Sequence, residues 1–255
     1  MKGKSMKLLL IFIFVIIFVV LFYQFSSFTD SKKFTFLQLV LYSDDPSYNC
    51  MYNVTSEYYK QFTNVKTVYY AFSEHINDEY EFINDILYIK GKETYVPGIT
   101  EKTIKSIEYF KDYPFDYLVR SNISTIVNFD VLNKNLRKKR IEYGGSLNNL
   151  QWIDTASGIM DETYFGTVYV SGISIVLSKK AVNELLINKK YINYNVIDDV
   201  CIGLLFKEHT HIVPKEIGIV STNGIFHKNT TFYRNRTENR ESDCIQMKKI
   251  IDKIK

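Results

Sequence analysis

Residues 34–46 read FTFLQLVLYSDDP, a run dominated by apolar and aromatic side chains that ends in a polar turn. Such a run has no alternation between apolar and polar residues, which is typical of a strand covered on both faces. The Ser-Asp-Asp-Pro sequence supplies the turn residues that end a strand. The segment therefore predicts a buried strand over residues 34–42.

Further along the chain, strand-like and helix-like segments alternate. Strands are predicted at 66–72, 85–89 and 115–119, and helices at 54–62 and 99–110. This alternation predicts an α/β domain over residues 34–255, with a mostly parallel sheet flanked by helices. Ligands of such sheets bind at the carboxyl ends of the strands, near the point where the strand order reverses. The residues at those ends are Ser43, Asp44, Asp45, Ser73, Glu74, Arg120, Ser121 and Asn122.

The second half of the domain has a different pattern. Residues 167–177 are strand-like but interrupted by Gly172, and Ser178 is placed to cap a helix over 179–186. Asp198 and Asp199 precede a predicted helix over 201–207. Short strands are predicted at 209–214 and 217–221, with His209 and His211 alternating on a polar edge strand, and a final helix at 241–255.

The N-terminal segment has the pattern of a membrane anchor. Three lysines among residues 1–7 precede a mainly apolar stretch over 8–28, and positive charge before a span places that end in the cytoplasm. We therefore predict a cytoplasmic tail (1–7), a transmembrane helix (8–28), a stem (29–33) and a lumenal domain in an endoplasmic reticulum or Golgi-type membrane. A cleaved signal peptide is the alternative reading.

Composition excludes several classes of protein. The net charge of +4 is too small to indicate nucleic-acid binding, and no glycine-rich phosphate loop follows the first predicted strand. Cys50, Cys201 and Cys244 have no metal-ligand spacing. In an oxidising compartment one pair of them would bridge, but the sequence does not indicate which.

Five segments occur in an order that matches a known family. They are DILYIKGKETYVPGITEKT (85–103), RSNISTIVN (120–128), YVSGISIVLSKKAVNEL (169–185), DDVCIG (198–203) and GIFH, which ends at His227. Together they resemble the fringe and β1,3-galactosyltransferase superfamily, inverting glycosyltransferases with a GT-A fold. The resemblance implies transfer of a sugar from a nucleotide sugar, such as a UDP-sugar, to a glycan or glycoprotein acceptor.

The resemblance also assigns roles to residues. Asp199 would take the proton of the acceptor hydroxyl, with Asp198 as its neighbour, whereas a helix N-cap is the plainer interpretation of the pair. Apart from the resemblance, the lone Trp152 in a polar loop is expected either to stack on the face of an acceptor sugar or to pack on the core, and Ser171 is also expected at the acceptor. The residues expected to bind the donor are Asp44, Asp45, Arg120, Ser121, Asn122, Ser124, Gly172 and His227.

One departure from the family concerns the metal. The acidic triplet that would hold a divalent cation such as Mn²⁺ is replaced by Asn122-Ile123-Ser124, and such cations prefer charged oxygen ligands. Three alternatives follow. Arginines could clamp the diphosphate without metal, a carboxylate could ligate the metal together with His227, or the chain could be a non-catalytic sugar- or protein-binding module. The arginines are Arg120, Arg234 and Arg236, and the carboxylates are Asp44 and Asp45.

Overall fold

The computed structural model describes residues 34–255, which form one compact unit. The strands are β1 (Phe36–Leu41), β2 (Val65–Ser73), β3 (Tyr80–Ile83), β4 (Ile86–Lys90), β5 (Tyr117–Asn122), β6 (Thr125–Val127), β7 (Tyr143–Gly145), β8 (Leu147–Asn149), β9 (Val168–Val170), β10 (Ile175–Ser178), β11 (Pro214–Glu216), β12 (Ile219–Thr222) and β13 (Thr230–Arg234). The α-helices are α1 (Asn49–Tyr59), α2 (Gly98–Tyr109), α3 (Phe129–Lys138), α4 (Lys179–Ile187), α5 (Asp198–His209) and α6 (Arg240–Ile254).

An eight-stranded sheet in the order β11-β7-β10-β5-β1-β2-β4-β3 forms the centre of this unit. The strands β4, β2, β1 and β5 run parallel, and β10 and β3 are antiparallel to their neighbours β5 and β4. The chain moves outward from β1 through β2 to β4, then returns to β5 on the other side of β1. This reversal of direction leaves a crevice at the carboxyl ends of β1 and β5.

The buried first strand explains the two layers of helices. Leu37 and Leu39 of β1 belong to one apolar cluster, which includes residues of α2, α4 and α5. Phe36 and Val40 belong to a second cluster, built with α1, α3 and α6. Since successive side chains of a strand point to opposite faces, a strand covered on both sides is mainly apolar, and the one polar residue of β1, Gln38, is buried and forms hydrogen bonds with Ser121 and Thr67. The predicted α/β class with a mostly parallel sheet is confirmed.

Two details of the second half differ from the prediction. The segment 167–177 forms two strands rather than one, because β9 pairs with β8 in a separate ribbon whereas β10 joins the central sheet. Gly172 lies in the turn between them. His209 ends α5 instead of lying on a strand, and its ring stacks on Tyr191 at 3.9 Å between centroids. The helix extends this far because its residues stay apolar and buried up to Phe206.

The cysteine pairing is decided by the fold. Cys50 in α1 and Cys244 in α6 form a disulfide that closes a separation of 194 residues. Cys201 is a buried free thiol in α5. The disulfide therefore joins the first helix of the described region to the last.

The predicted tail (1–7), anchor (8–28) and stem (29–33) lie outside the residues that the structure describes, so they stay predictions. Within residues 34–255, no helix combines the length and the apolar character needed to cross a membrane.

Candidate active site

A cleft of about 560 Å³ opens at the carboxyl ends of β1 and β5. It lies at the reversal of strand order, which is where the fold class places ligands. Side chains from several elements line it, among them residues that the sequence had singled out. These are Ser43, Arg120, Asn122, Ser124, Ser171, Gly172, Asp198, Asp199, Arg234 and Arg236.

Asp198 is buried at the start of α5 and is held on two sides. Its carboxylate pairs with Arg120 Nη2 at 2.7 Å and accepts a hydrogen bond from Thr103 Oγ1 at 3.0 Å. Helix N-termini favour negative charge, and the ion pair compensates the cost of burying both groups. Asp198 thus connects α5 to β5 and α2.

Asp199 is partly exposed to the cleft and hydrogen-bonds to backbone amides. Oδ2 accepts from Gly172 N–H and Oδ1 accepts from Val200 N–H, each at 2.8 Å. Burial and the adjacent Asp198 raise the pKa of Asp199 to about 6, against the opposing effect of these amides and of Arg120. Asp199 is therefore largely ionised at pH 7 but takes up a proton under mildly acidic conditions.

Arg120 organises the turn between β9 and β10. Its Nη1 donates to Asn122 Oδ1 at 2.9 Å and to the Gly172 carbonyl, while Asp199 accepts from the Gly172 N–H. A Cβ at position 172 would lie 2.7 Å from Arg120 Nη1. A larger residue here would displace the guanidinium of Arg120 from its present position, which accounts for the glycine without invoking a bound sugar.

The opposite wall of the cleft is formed by arginines from the C-terminal part of the chain. Arg234 ends β13, Arg236 follows it, and Arg240 begins α6. Arg240 pairs with Asp243, but among residues 34–255 neither Arg234 nor Arg236 has a carboxylate partner. We call Arg234, Arg236 and Arg240 the arginine wall.

Arg234 is partly buried and poorly compensated. Its one hydrogen bond within the described region is from Nη1 to Thr125 Oγ1, at 3.4 Å. Burial and the nearby positive charges of Arg236, Arg120 and Arg240 lower the pKa of Arg234 to about 9. The guanidinium still carries its charge at pH 7, so this end of the cleft is strongly attractive to an anion.

Sequence reasoning missed a buried lysine beside the cleft. Lys102 of α2 donates to both carboxylate oxygens of Glu93 and to the Tyr42 carbonyl. Glu93 also accepts from the Phe72 N–H. A lysine within a helical pattern is ordinarily expected on the solvent-facing side, so no sequence signal distinguishes Lys102 as buried. Tyr48, Tyr95 and Arg240 also line the cleft without belonging to a recognisable motif.

Other residues singled out from the sequence do not line the cleft. Asp45 accepts from Ser47 N–H and caps a short 3₁₀ helix, and the neighbouring Asp44 is exposed. Ser121 is buried and accepts a hydrogen bond from Gln38 Nε2. Its side chain lies on the opposite face of β5 from those of Arg120 and Asn122, because side chains alternate along a strand.

His227 and Trp152 also lie away from the cleft lining. His227 is exposed in the connection between β12 and β13, and Trp152 is about half exposed after β8. Within residues 34–255, no cluster of three or more His, Cys, Asp or Glu side chains suits a metal ion. The structure therefore does not assemble the ligand set of Asp44 or Asp45 with His227.

Comparison with solved structures identifies the fold. The inositol-1-phosphate CTP transferase from T. maritima has a TM-score of 0.50 and 10% identity, covering 88% of this chain and 99% of that one. The 4-diphosphocytidyl-2C-methyl-D-erythritol synthase from Anaerococcus prevotii DSM 20548 has a TM-score of 0.41 and 11% identity, covering 86% and 96%. No family model and no curated protein matches the sequence.

The comparison at a TM-score of 0.50 overturns the resemblance to fringe and β1,3-galactosyltransferases. That structure carries the name of a CTP transferase, so the assignment as a sugar-transferring enzyme is wrong, and the Golgi and type II membrane placement loses that support. The alternative of a non-catalytic binding module gains none. The short motifs misled because their residues serve this fold: Asp198 pairs with Arg120, and Gly203 packs against Tyr169.

Proposed function

We propose that this chain is a nucleotidyltransferase that acts on a nucleoside triphosphate and a small phosphorylated polyol. An oxygen of the acceptor's phosphate attacks the α-phosphorus of the nucleotide, and the bond from that phosphorus to the departing pyrophosphate breaks. The observation that carries the proposal is the uncompensated charge of Arg234 and Arg236 in the cleft. The fold shared with the inositol-1-phosphate CTP transferase supports it.

The arginine wall is suited to the phosphates. Guanidinium groups present planar forks that bind phosphate oxygens through paired hydrogen bonds. Arg234 and Arg236 are free to do so, since no carboxylate within residues 34–255 occupies them. Bound phosphates would compensate the repulsion among these cations, and the same cations would stabilise charge that develops on the departing pyrophosphate.

The acidic end of the cleft, formed by Asp198 and Asp199, is suited to hydroxyl groups. Asp199 accepts two backbone hydrogen bonds and has acceptor capacity left on each oxygen. It would repel a phosphate but bind the hydroxyls of a polyol or a ribose. No base is required for the attack, because a phosphate monoester has its second pKa near 6 and already carries a nucleophilic oxygen at neutral pH.

A divalent cation is the cofactor that nucleotide chemistry would suggest, and the residues present do not fit a dedicated site for it. Asp198 is committed to Arg120 and Thr103, so of the two adjacent aspartates Asp199 alone has acceptor capacity facing the cleft, and one carboxylate does not make a dedicated cation site. No group of three metal-binding side chains occurs within residues 34–255. We therefore propose that the guanidinium groups of the arginine wall compensate the negative charge of the phosphates.

Release of pyrophosphate tests the proposal. The full chain would be incubated with each of the four common ribonucleoside triphosphates, together with a panel of polyol phosphates that includes inositol 1-phosphate. We expect release that requires both substrates and is abolished in an Arg234→Ala, Arg236→Ala variant. Binding of nucleotides without pyrophosphate release for any acceptor of the panel would contradict transfer.

A further inference from the structure

Each cysteine of the disulfide lies about one helical turn or less from a residue that lines the cleft. Cys50 is the second residue of α1, and Tyr48, immediately before that helix, lines the cleft. Cys244 follows Arg240, the first residue of α6, by four positions. At about 1.5 Å per residue, that spacing is about 6 Å along the helix axis.

The two cleft residues also contact each other. The guanidinium carbon of Arg240 lies 5.7 Å from the centre of the Tyr48 ring, which is within the range of a cation–π interaction. The Arg240–Asp243 ion pair, at 3.1 Å, connects two residues of the same helix. It orients the arginine on α6 but does not hold α6 against α1.

We propose that the Cys50–Cys244 disulfide is a positioning bond for the phosphate-binding side of the cleft. By joining the starts of α1 and α6, it holds Arg240 over Tyr48 and beside Arg234 and Arg236. This inference rests on the proposed function, because it assumes that the arginine wall binds a polyphosphate. Packing of Met51 and Met247 between the same helices keeps them associated, whereas the covalent bond sets their register at the cleft.

The contribution of the disulfide to phosphate binding can be measured as the affinity of the chain for pyrophosphate, used as the sole ligand. Calorimetric titrations would compare the oxidised chain with the chain reduced by dithiothreitol. The reagent transfers two electrons and two protons to the disulfide, which becomes the two thiols of Cys50 and Cys244, and the reagent itself becomes a cyclic disulfide. Loss of register weakens one charged contact and the cation–π pair, so we expect binding to weaken about three- to tenfold. Circular dichroism would verify that the reduced chain remains folded.

Thermodynamic linkage supplies a second measurement, the dependence of disulfide reduction on bound pyrophosphate. A disulfide that only stabilised the fold would show no such dependence. If the disulfide favours pyrophosphate binding, then bound pyrophosphate must favour the disulfide by the same factor. The equilibrium constant for reduction in a dithiothreitol buffer should therefore fall about three- to tenfold at saturating pyrophosphate. An equilibrium unaffected by pyrophosphate would overturn the inference.

Two variants separate positioning from general loss of stability. Leu185→Ala removes a buried side chain of α4, outside the cleft, and should lower the melting temperature while leaving pyrophosphate affinity intact. Tyr48→Leu retains the disulfide and should weaken pyrophosphate binding severalfold, which keeps the inference testable even if the reduced chain unfolds. Unchanged affinity in Tyr48→Leu would then refute it.

The inference and the proposed function fail in different ways. If the oxidised chain binds neither pyrophosphate nor CTP, the proposed function is wrong. If it binds both and reduction of the folded chain changes neither affinity, the positioning role of the disulfide is wrong, while the proposed function keeps its phosphate site and is judged by the pyrophosphate-release assay.

Discussion

Arg234 shows how one residue can serve binding at the expense of stability. It is partly buried, it has a hydroxyl group as its hydrogen-bond partner, and it lies near three other guanidinium groups. A buried charge without a counter-ion is costly to the folded state. Such a group is expected where a ligand supplies the missing charge, and the cleft is that place.

The first prediction concerns Arg234→Gln. We expect nucleotide affinity to fall about ten- to a hundredfold, because a charged hydrogen bond contributes about 1.5–3 kcal/mol. The free energy of unfolding without ligand should not fall, because the change relieves repulsion among the arginines. Calorimetry and urea unfolding would check the two effects, with the exposed Lys60→Gln as a control. Unchanged affinity would remove Arg234 from the phosphate site.

The second prediction concerns Asp199. Because its pKa rises from 3.8 to about 6 on folding, the folded state binds the extra proton between those values. The free energy of unfolding therefore decreases as pH rises through that window. The Asp199→Asn variant lacks this titration, so the stability of the wild type relative to the variant should be greater at pH 4 than at pH 7. Urea unfolding at both pH values would measure it, and equal differences would contradict the raised pKa.

At the scale of elements, the buried Arg120–Asp198 pair connects β5 to α5 and the β9–β10 turn. Arg120 reaches Asn122, the Gly172 carbonyl and Asp198 at once. The two aspartates are adjacent in sequence, and their environments separate them: Asp198 is bound to a cation, whereas Asp199 faces the cleft. The geometry of the acidic end therefore depends on Arg120.

The third prediction follows from this network. Asp198→Asn leaves Arg120 buried without a counter-ion, and we expect it to destabilise the fold by about 3–5 kcal/mol. The double variant Arg120→Met, Asp198→Leu should recover part of that loss, because it removes both charges. Urea unfolding of the single and double variants would measure both effects. A double variant less stable than Asp198→Asn would show that other bonds of Arg120 matter more than the pair.

At the scale of the whole molecule, the cleft joins parts of the chain that lie far apart in sequence. Arg120 and Asp198 come from the central sheet and its helix, and the arginine wall comes from β13 and α6. A polyphosphate that bridges these elements would therefore stabilise the entire fold.

The fourth prediction is that CTP raises the melting temperature of the chain. A ligand at a hundred times its dissociation constant adds about 2.7 kcal/mol to the free energy of unfolding. The effect should shrink as salt concentration rises, because salt screens the attraction between phosphates and arginines. Thermal melts at low and high salt would test this. A shift insensitive to salt would indicate that phosphate contacts do not dominate binding.

The layered α/β arrangement could be predicted from local sequence patterns. Apolar runs such as 34–42 require cover on both faces, and local signals place helix starts: Ser178 Oγ accepts from Ala181 N–H at the predicted cap of α4. The adjacent Asp198 and Asp199 were likewise visible as a pair. These features depend on neighbours in sequence, where periodicity and capping chemistry act.

The composition of the candidate site could be read only from the folded chain. Its contacts join residues distant in sequence: the Cys50–Cys244 disulfide, the hydrogen bond from buried Lys102 to Tyr42, the hydrogen bond from Arg120 to Gly172, and the arginine wall along the cleft. Short motifs suggested a different family because a few residues are compatible with several chemistries. Charge compensation depends on which groups meet in space, and the folded chain is what brings them together.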